Sequence, residues 1–175
     1  MKFRKKKRDS GDPVLEALKK VSFFEEYAYD DDIMGKIASL CSRRSFKMGK
    51  TIIEEGEFGD ELYIILTGEI EILKKTLQDE RYTVTSLSAE ECGVYVGELA
   101  LIDDDRRSAT VVAKSDSETL VMKRKDFLKF GNENPTVGLV ITRALAFQLS
   151  RKLRKTNRDV ITLFSALVEE IAAEN

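Results

Sequence analysis

Thr51-Ile-Ile-Glu-Glu-Gly-Glu-Phe-Gly-Asp-Glu-Leu-Tyr-Ile-Ile-Leu-Thr-Gly-Glu-Ile-Glu-Ile-Leu73 decides the fold. Three short runs rich in β-branched and aromatic residues (51–53, 62–66 and 70–73) are punctuated by Gly56, Gly59 and Gly68, with Gly49 just ahead of them. The same rhythm continues at 82–85, 109–113 and 119–122, and the polar Gln78-Asp-Glu-Arg81 reads as a hairpin tip. Regular short strands with glycine turns and no helical stretches between them predict a barrel or jelly roll rather than βαβ units. The expected turn glycines are 49, 56, 59 and 68.

Outward from this block the period changes to that of helices. On the N-terminal side, residues 13–20 carry apolar side chains at helical spacing behind Asp12, a helix cap, with Pro13 at the first helical position. A second short helix is predicted from Asp31 or Asp32 to Cys41, burying Ile33, Ile37, Leu40 and Cys41. On the C-terminal side, residues 126–130 form a short helix interrupted around Gly131-Asn-Glu-Asn-Pro135. Beyond Pro135 a helix of roughly 35 residues, about 50 Å long, is possible. Its residues Leu139, Thr142, Ala146, Leu149, Leu153, Thr156, Val160, Leu163 and Leu167 alternate steps of three and four. That is a heptad seam, widened by Ile161, Phe164, Val168 and Ile171, and it predicts a homodimer through residues 139–167. The expected class is mainly β with flanking helices: a barrel or jelly roll plus a long C-terminal helix. Three regions follow: a basic flexible tail at 1–11, the β-rich region with its N-terminal helices at 12–134, and a dimerisation helix at 135–175.

Composition narrows the function. The 175 residues carry 29 Lys plus Arg against 31 Asp plus Glu, a net charge of -2, with 42% hydrophobic residues. No apolar stretch is long enough to span a membrane, and Met1-Lys-Phe-Arg-Lys-Lys-Lys-Arg8 has no apolar run behind it to make a secretory signal. Histidine is absent and the cysteines are two, Cys41 and Cys92. That removes most zinc sites, every Ser-His or Cys-His catalytic arrangement and a disulfide framework. Reduced thiols, a cytoplasmic setting, no metal and no enzymatic activity are expected.

The chemistry concentrates in Val96-Gly-Glu-Leu-Ala-Leu-Ile-Asp-Asp-Asp-Arg-Arg-Ser-Ala-Thr110. Gly97 permits close backbone approach, and Glu98 is an acceptor for a sugar hydroxyl. Leu99, Ala100 and Leu101 can form one helical turn whose N–H groups face an anion. Arg107 supplies a planar fork for phosphate oxygens, Ser108 a hydroxyl, and Ala109 a small floor. On residue types alone Glu98 and Arg107 read first as an ion pair closing the roll; the assembled cassette turns the reading toward a ligand. The cations Arg143, Arg151, Lys152, Arg154, Lys155 and Arg158 read as the wet face of the long helix.

With Gly56-Glu-Phe-Gly-Asp-Glu-Leu-Tyr-Ile-Ile-Leu-Thr-Gly68, Gly97-Glu-Leu-Ala-Leu101 and Arg107-Ser-Ala109, residues 13–160 resemble the cyclic nucleotide-binding domain family. The resemblance implies a jelly-roll β-roll (a double-stranded β-helix) at 12–134, with 135–175 as dimerisation or lid helix, that binds a cyclic nucleotide, the phosphate on Arg107 and the cassette amides and the ribose 2′-hydroxyl on Glu98. Ser108, where cGMP-selective relatives often carry threonine, points to cAMP, with cGMP the lesser alternative. In bacterial members a long C-terminal helix dimerises and reaches the purine through adjacent polar residues; aligned here, these are Thr156 and Asn157, which also read as polar interruptions that set helix register. Arg106 stands where the family commonly has proline, Asp103-Asp-Asp105 forms an expected solvent-exposed tip, and Glu90-Glu-Cys-Gly-Val-Tyr95 departs from the usual lead into the cassette. The implied protein is a bacterial, cytoplasmic sensor acting on an unidentified downstream protein. Bacterial members continue into a DNA-reading helix-turn-helix; this sequence ends before one, so DNA binding is not expected. A roll that has lost nucleotide binding and serves as a protein-interaction module is the alternative.

Overall fold

The computed structural model describes residues 12–91 and 93–173; the expected tail at 1–11 and the expected thiol at Cys92 lie outside the described residues. Asp12 caps α1 (Pro13–Lys19), its carboxylate accepting the Val14 N–H at 3.0 Å. A 3-10 turn follows at Ser22–Tyr27, and then α2 (Asp31–Ser39), capped by Asp30 through the Ile33 N–H. This helix stops short of its expected end. Cys41 opens a strand, β1 (Cys41–Phe46), where a helix was expected to finish. Cys-Ser-Arg-Arg-Ser-Phe carries no apolar alternation, so its strand state comes from pairing along β8, six residues in register from Cys41↔Met122 to Phe46↔Ser117. The Cys41 thiol is free and donates to the Ile37 carbonyl at 3.6 Å, and burial pushes its pKa up to about 12, which leaves it unreactive.

The remaining strands are β2 (Thr51–Ile53), β3 (Glu61–Thr67), β4 (Glu69–Lys75), β5 (Arg81–Ser88), β6 (Tyr95–Val96), β7 (Thr110–Ala113) and β8 (Ser117–Lys123). They form two antiparallel four-stranded sheets, ordered β1-β8-β3-β6 and β2-β7-β4-β5. β6, only two residues long, was not predicted; it too exists through its partner, pairing Tyr63↔Val96 and Ile64↔Tyr95.

The unbroken apolar run at 62–66 has a simple cause. Successive residues of β3 face opposite sides of the first sheet, and both sides are covered. Tyr63 and Ile65 point between the sheets with Val96, Val111 and Val121. Leu62 and Ile64, with Leu120 and Met122, point under the helices against Phe23, Phe24, Phe127 and Phe130.

After β8, α3 (Arg124–Glu133) runs through Gly131 instead of breaking there, and the chain turns at Asn134 before α4 (Pro135–Ala173). The break is set by Pro135, which excludes helical geometry from the residue ahead of it. α4 has 39 residues, of which Val137, Ile141 and Leu145 are buried in the helix-side core. The heptad seam does not face this core; Leu139, Leu153, Val160, Leu163 and Leu167 are exposed. No helix among the described residues is long and apolar enough to cross a membrane.

Helices α3 and α4 meet at two glycines. A Cβ on Gly138 would lie 2.7 Å from the Gly131 Cα and 2.9 Å from its carbonyl oxygen, whereas one on Gly131 would make an ordinary 3.6 Å contact. Gly138→Ala is therefore expected to destabilise the fold by about 1–3 kcal/mol through backbone overpacking, and Gly131→Ala to be neutral or slightly stabilising through helix propensity. Thermal melting of the two variants checks this; equal melting temperatures would contradict the crossing.

Candidate functional site

Inside the roll, and reached by Lys152 from the middle of α4, lies a cavity of about 340 Å³, within the usual range of ~300–1,000 Å³ for small-ligand sites. Ile53, Ile72, Leu87, Val96 and Val111 form its apolar wall. The cassette forms its polar side: Gly97, Glu98, Leu99, Ala100, Arg107, Ser108 and Ala109 all line it. Gly97 has φ +81, and a Cβ there would stand 2.7 Å from Arg107 Nη1 and 2.9 Å from the Glu61 carbonyl oxygen. Its positive φ turns the chain out of β6 into the 3-10 turn Glu98–Leu101, pinned by the fully buried Leu101. The Ala100 amide, expected to face an anion, is instead spent inside this turn on the Gly97 carbonyl at 3.2 Å.

Arg107 is fixed at both ends. Its backbone N–H donates to the Glu57 carbonyl at 2.8 Å, and its own carbonyl accepts from Gly56 at 2.9 Å. Its guanidinium donates through Nη2 to the Glu61 carbonyl at 2.7 Å and through Nη1, at 3.5 Å, to the Gly97 carbonyl. Among the described residues no carboxylate comes within ion-pair distance of it. Half-burial pulls its pKa below the usual arginine value, while Tyr63, Glu61 and Asp60 act in the opposite direction. Arginine stays charged through such shifts.

Gly59, expected as a turn glycine, serves this side chain instead. Its φ is not positive, unlike those of Gly49, Gly56 and Gly68, and a Cβ on it would stand 2.5 Å from Arg107 Nε. The Glu98–Arg107 ion pair, the alternative that residue types alone suggest, does not form. Glu98, its side chain 13% exposed, pairs with Lys152 of α4. Lys152 was read as part of a solvated helix face, yet it lines the cavity. The signal lay in a stripe other than the seam: Val137, Ile141, Leu145, Gln148 and Lys152 follow one another at steps of three and four, and the first three are buried.

Gln148 anchors the same stripe. Its amide oxygen accepts from the Tyr95 hydroxyl, its Nε2 donates to Ser22 Oγ at 2.8 Å, and the two hydroxyls lie 3.3 Å apart. Tyr95 lines the cavity and packs edge-on against Phe23 at 5.0 Å. Thr156 and Asn157 lie farther along α4, exposed, and are not among the residues lining the cavity.

The rim carries both signs. Arg106 donates to the Gly56 carbonyl at 2.7 Å and lies over the Phe58 ring, 4.5 Å from its centre. Asp103–Asp105 is an exposed tip, as expected; Asp104 pairs with Arg124, and Asp105 accepts the Arg106 N–H at 2.7 Å. A fixed guanidinium fork, a carboxylate and an apolar chamber together suit an anion carrying a hydroxylated ring and a flat apolar group.

Comparison with known proteins agrees with this chemistry. The model of the cyclic nucleotide-binding domain matches residues 43–134. The cyclic AMP receptor protein of Thermus thermophilus is 30% identical over 122 residues, 70% of this chain and 53% of the receptor. A cAMP-dependent protein kinase regulatory subunit of Aspergillus fumigatus is 38% identical over 92 residues, 53% of this chain and 21% of the subunit. The crystal structure of the Thermus thermophilus catabolite activator protein superposes with a TM-score of 0.70 at 28% identity, covering 81% of this chain and 62% of that one. The chain thus spans about half the length of the curated receptor and a fifth of the kinase subunit. From its two-sheet roll, its cassette and these matches, the chain belongs to the cyclic nucleotide-binding domain family.

Proposed function

We propose that this chain is a sensor that binds cAMP in preference to cGMP, performs no chemistry, and passes occupancy of the cavity to α4. The observation that carries the reading is Arg107: a half-buried guanidinium held on two carbonyls, with no carboxylate among the described residues within ion-pair distance. A cyclic phosphodiester supplies that charge, and the Glu98 carboxylate accepts the ribose hydroxyl beside it. Ser108 on the cavity wall fits the cAMP preference. Residues 12–134 act as the binding unit and 135–175 as lid and dimerisation helix. Because α4 reaches the cassette through Lys152 and the cavity wall through Gln148 and Tyr95, ligand favours the arrangement in which helix and roll are joined, a shift of population.

The exposed seam from Leu139 to Leu167 supports a homodimer, since Leu163 is 70% and Leu153 62% exposed on a helix that leaves the roll. Thr156 and Asn157 are proposed to meet the purine in that paired state. A cytoplasmic setting fits the free Cys41 thiol, and the downstream partner is a protein that reads the helix pair.

Isothermal titration with cAMP tests the site. Arg107→Ala is expected to abolish binding, Arg107→Lys to weaken it about tenfold or more by losing the fork, and Glu98→Gln to weaken it less; unchanged affinity in Arg107→Ala removes the assignment. Gly59→Ala, which pushes on Arg107 Nε, is expected to weaken binding more than it lowers the melting temperature. In a thermal-shift series, cAMP at ~100 times its dissociation constant should add ~2.7 kcal/mol of stability; no shift with any cyclic nucleotide would favour the interaction-module reading. Leu153→Asp combined with Leu163→Asp is expected to halve the mass seen by light scattering, and an unchanged mass would exclude the seam as the interface.

A further inference from the structure

Arg44 in β1 and Glu61 and Tyr63 in β3 lie on the inner face of the first sheet, separated by β8. The register places Arg44 opposite Thr119, and Tyr63 opposite Val121, two residues further along the same strand face. The Arg44 guanidinium reaches across and takes both oxygens of Glu61, Nη1 to Oε2 at 2.8 Å and Nη2 to Oε1 at 2.9 Å. The Tyr63 hydroxyl donates to the same Oε2 at 2.6 Å and accepts from Arg44 Nη1 at 3.1 Å. Thr119 Oγ1 steadies the Arg44 backbone by donating to its carbonyl at 3.1 Å. The Glu61 side chain is only 16% exposed, and its carboxyl pKa is lowered first by the Arg44 hydrogen bond, then by Tyr63, so it is ionised.

The same residue also holds the cassette arginine. While the carboxylate of Glu61 grips Arg44, its backbone carbonyl accepts Arg107 Nη2 at 2.7 Å. One glutamate therefore stands between two guanidiniums. Arg107 already feels the Glu61 charge, and the exposed Lys123, opposite Glu61 on β8, also acts on this carboxylate. A carboxylate paired with Arg107 would take the planar fork that a phosphodiester needs.

We propose that Arg44 is a positioning residue for the anion site: by engaging both oxygens of Glu61 it keeps that carboxylate off Arg107 and leaves the Arg107 fork open to phosphate. The proposal rests on the reading of Arg107 as the phosphate-binding residue, and it makes a prediction that a purely structural role does not. Without Arg44, the harm comes from the Glu61 charge, so neutralising that charge should repair it.

Titration of the full chain with cAMP tests this. Arg44→Gln is expected to lower affinity about tenfold, and Arg44→Gln combined with Glu61→Gln to recover to within about threefold of the unaltered protein. Wild-type affinity in Arg44→Gln, or a loss that persists in the double variant, would overturn the proposal while leaving Arg107 in its role. Melting temperatures without nucleotide establish that each variant is folded. Should Arg44→Gln not fold, Arg44→Lys is compared with and without Glu61→Gln, where the same recovery is expected and its absence is equally fatal. An unaltered protein that binds no cyclic nucleotide would overturn the reading of Arg107 itself, and the role of Arg44 with it.

Discussion

A guanidinium withdrawn halfway from water and hydrogen-bonded to peptide carbonyls instead of a carboxylate sets the terms for its surroundings. Burying charge is costly unless partners replace the lost solvent, and carbonyls replace hydration without neutralising it. Around Arg107, Gly59 and Gly97 withhold the side chains that would displace its fork. Three of the nearby carboxylates are paired with other cations: Glu61 with Arg44, Glu98 with Lys152, and Asp104 with Arg124, while Asp103 and Asp105 sit on the exposed rim of the cavity. The result is a guanidinium fork complementary to an anion, in a chamber with apolar walls that strengthen the attraction.

The roll holds this arrangement because β3 serves two cores at once. Its outward residues lock the first sheet beneath the helices, and its inward residues build the chamber. The carbonyl that carries Arg107 belongs to the first residue of that strand, so the position of the cation is fixed by the packing of both faces. α4 joins the same construction from outside. Its inward stripe begins as buried core at Val137, Ile141 and Leu145, becomes polar at Gln148, and ends as a charge at Lys152. Past Lys152 the helix has no buried residue, and the apolar seam on its flank faces solvent. A helix tied to a ligand chamber at one end and free at the other is suited to report on that chamber.

Much of this was legible in the residues. Glycine-punctuated strands pointed to a barrel or jelly roll and the family resemblance to the roll, Asp12 and Pro13 marked the first helix, and the steps of three and four after Pro135 described the long helix. The cassette residues at 97–100 and 107–109 were recognisable because turn chemistry, a fork and a carboxylate recur at close spacing, and they do line one cavity. What escaped was set by pairing across distance. β1 has a polar sequence and is a strand only because β8 lies beside it; β6 is two residues held by β3. Lys152 looked like any solvated cation until the helix brought it to Glu98, 54 residues away in sequence.

The sequence by itself determined the class of architecture and the kinds of group available for an anion, because periodicity, turn residues and side-chain chemistry are local properties. Only the tertiary structure decided which charges are paired and which stay open: Glu98 with Lys152 and not with Arg107, Glu61 with Arg44, and Gly59 as space for a guanidinium instead of a turn. Those choices depend on distances between strands and helices that no local pattern encodes, and electrostatic energy falls off over just those distances.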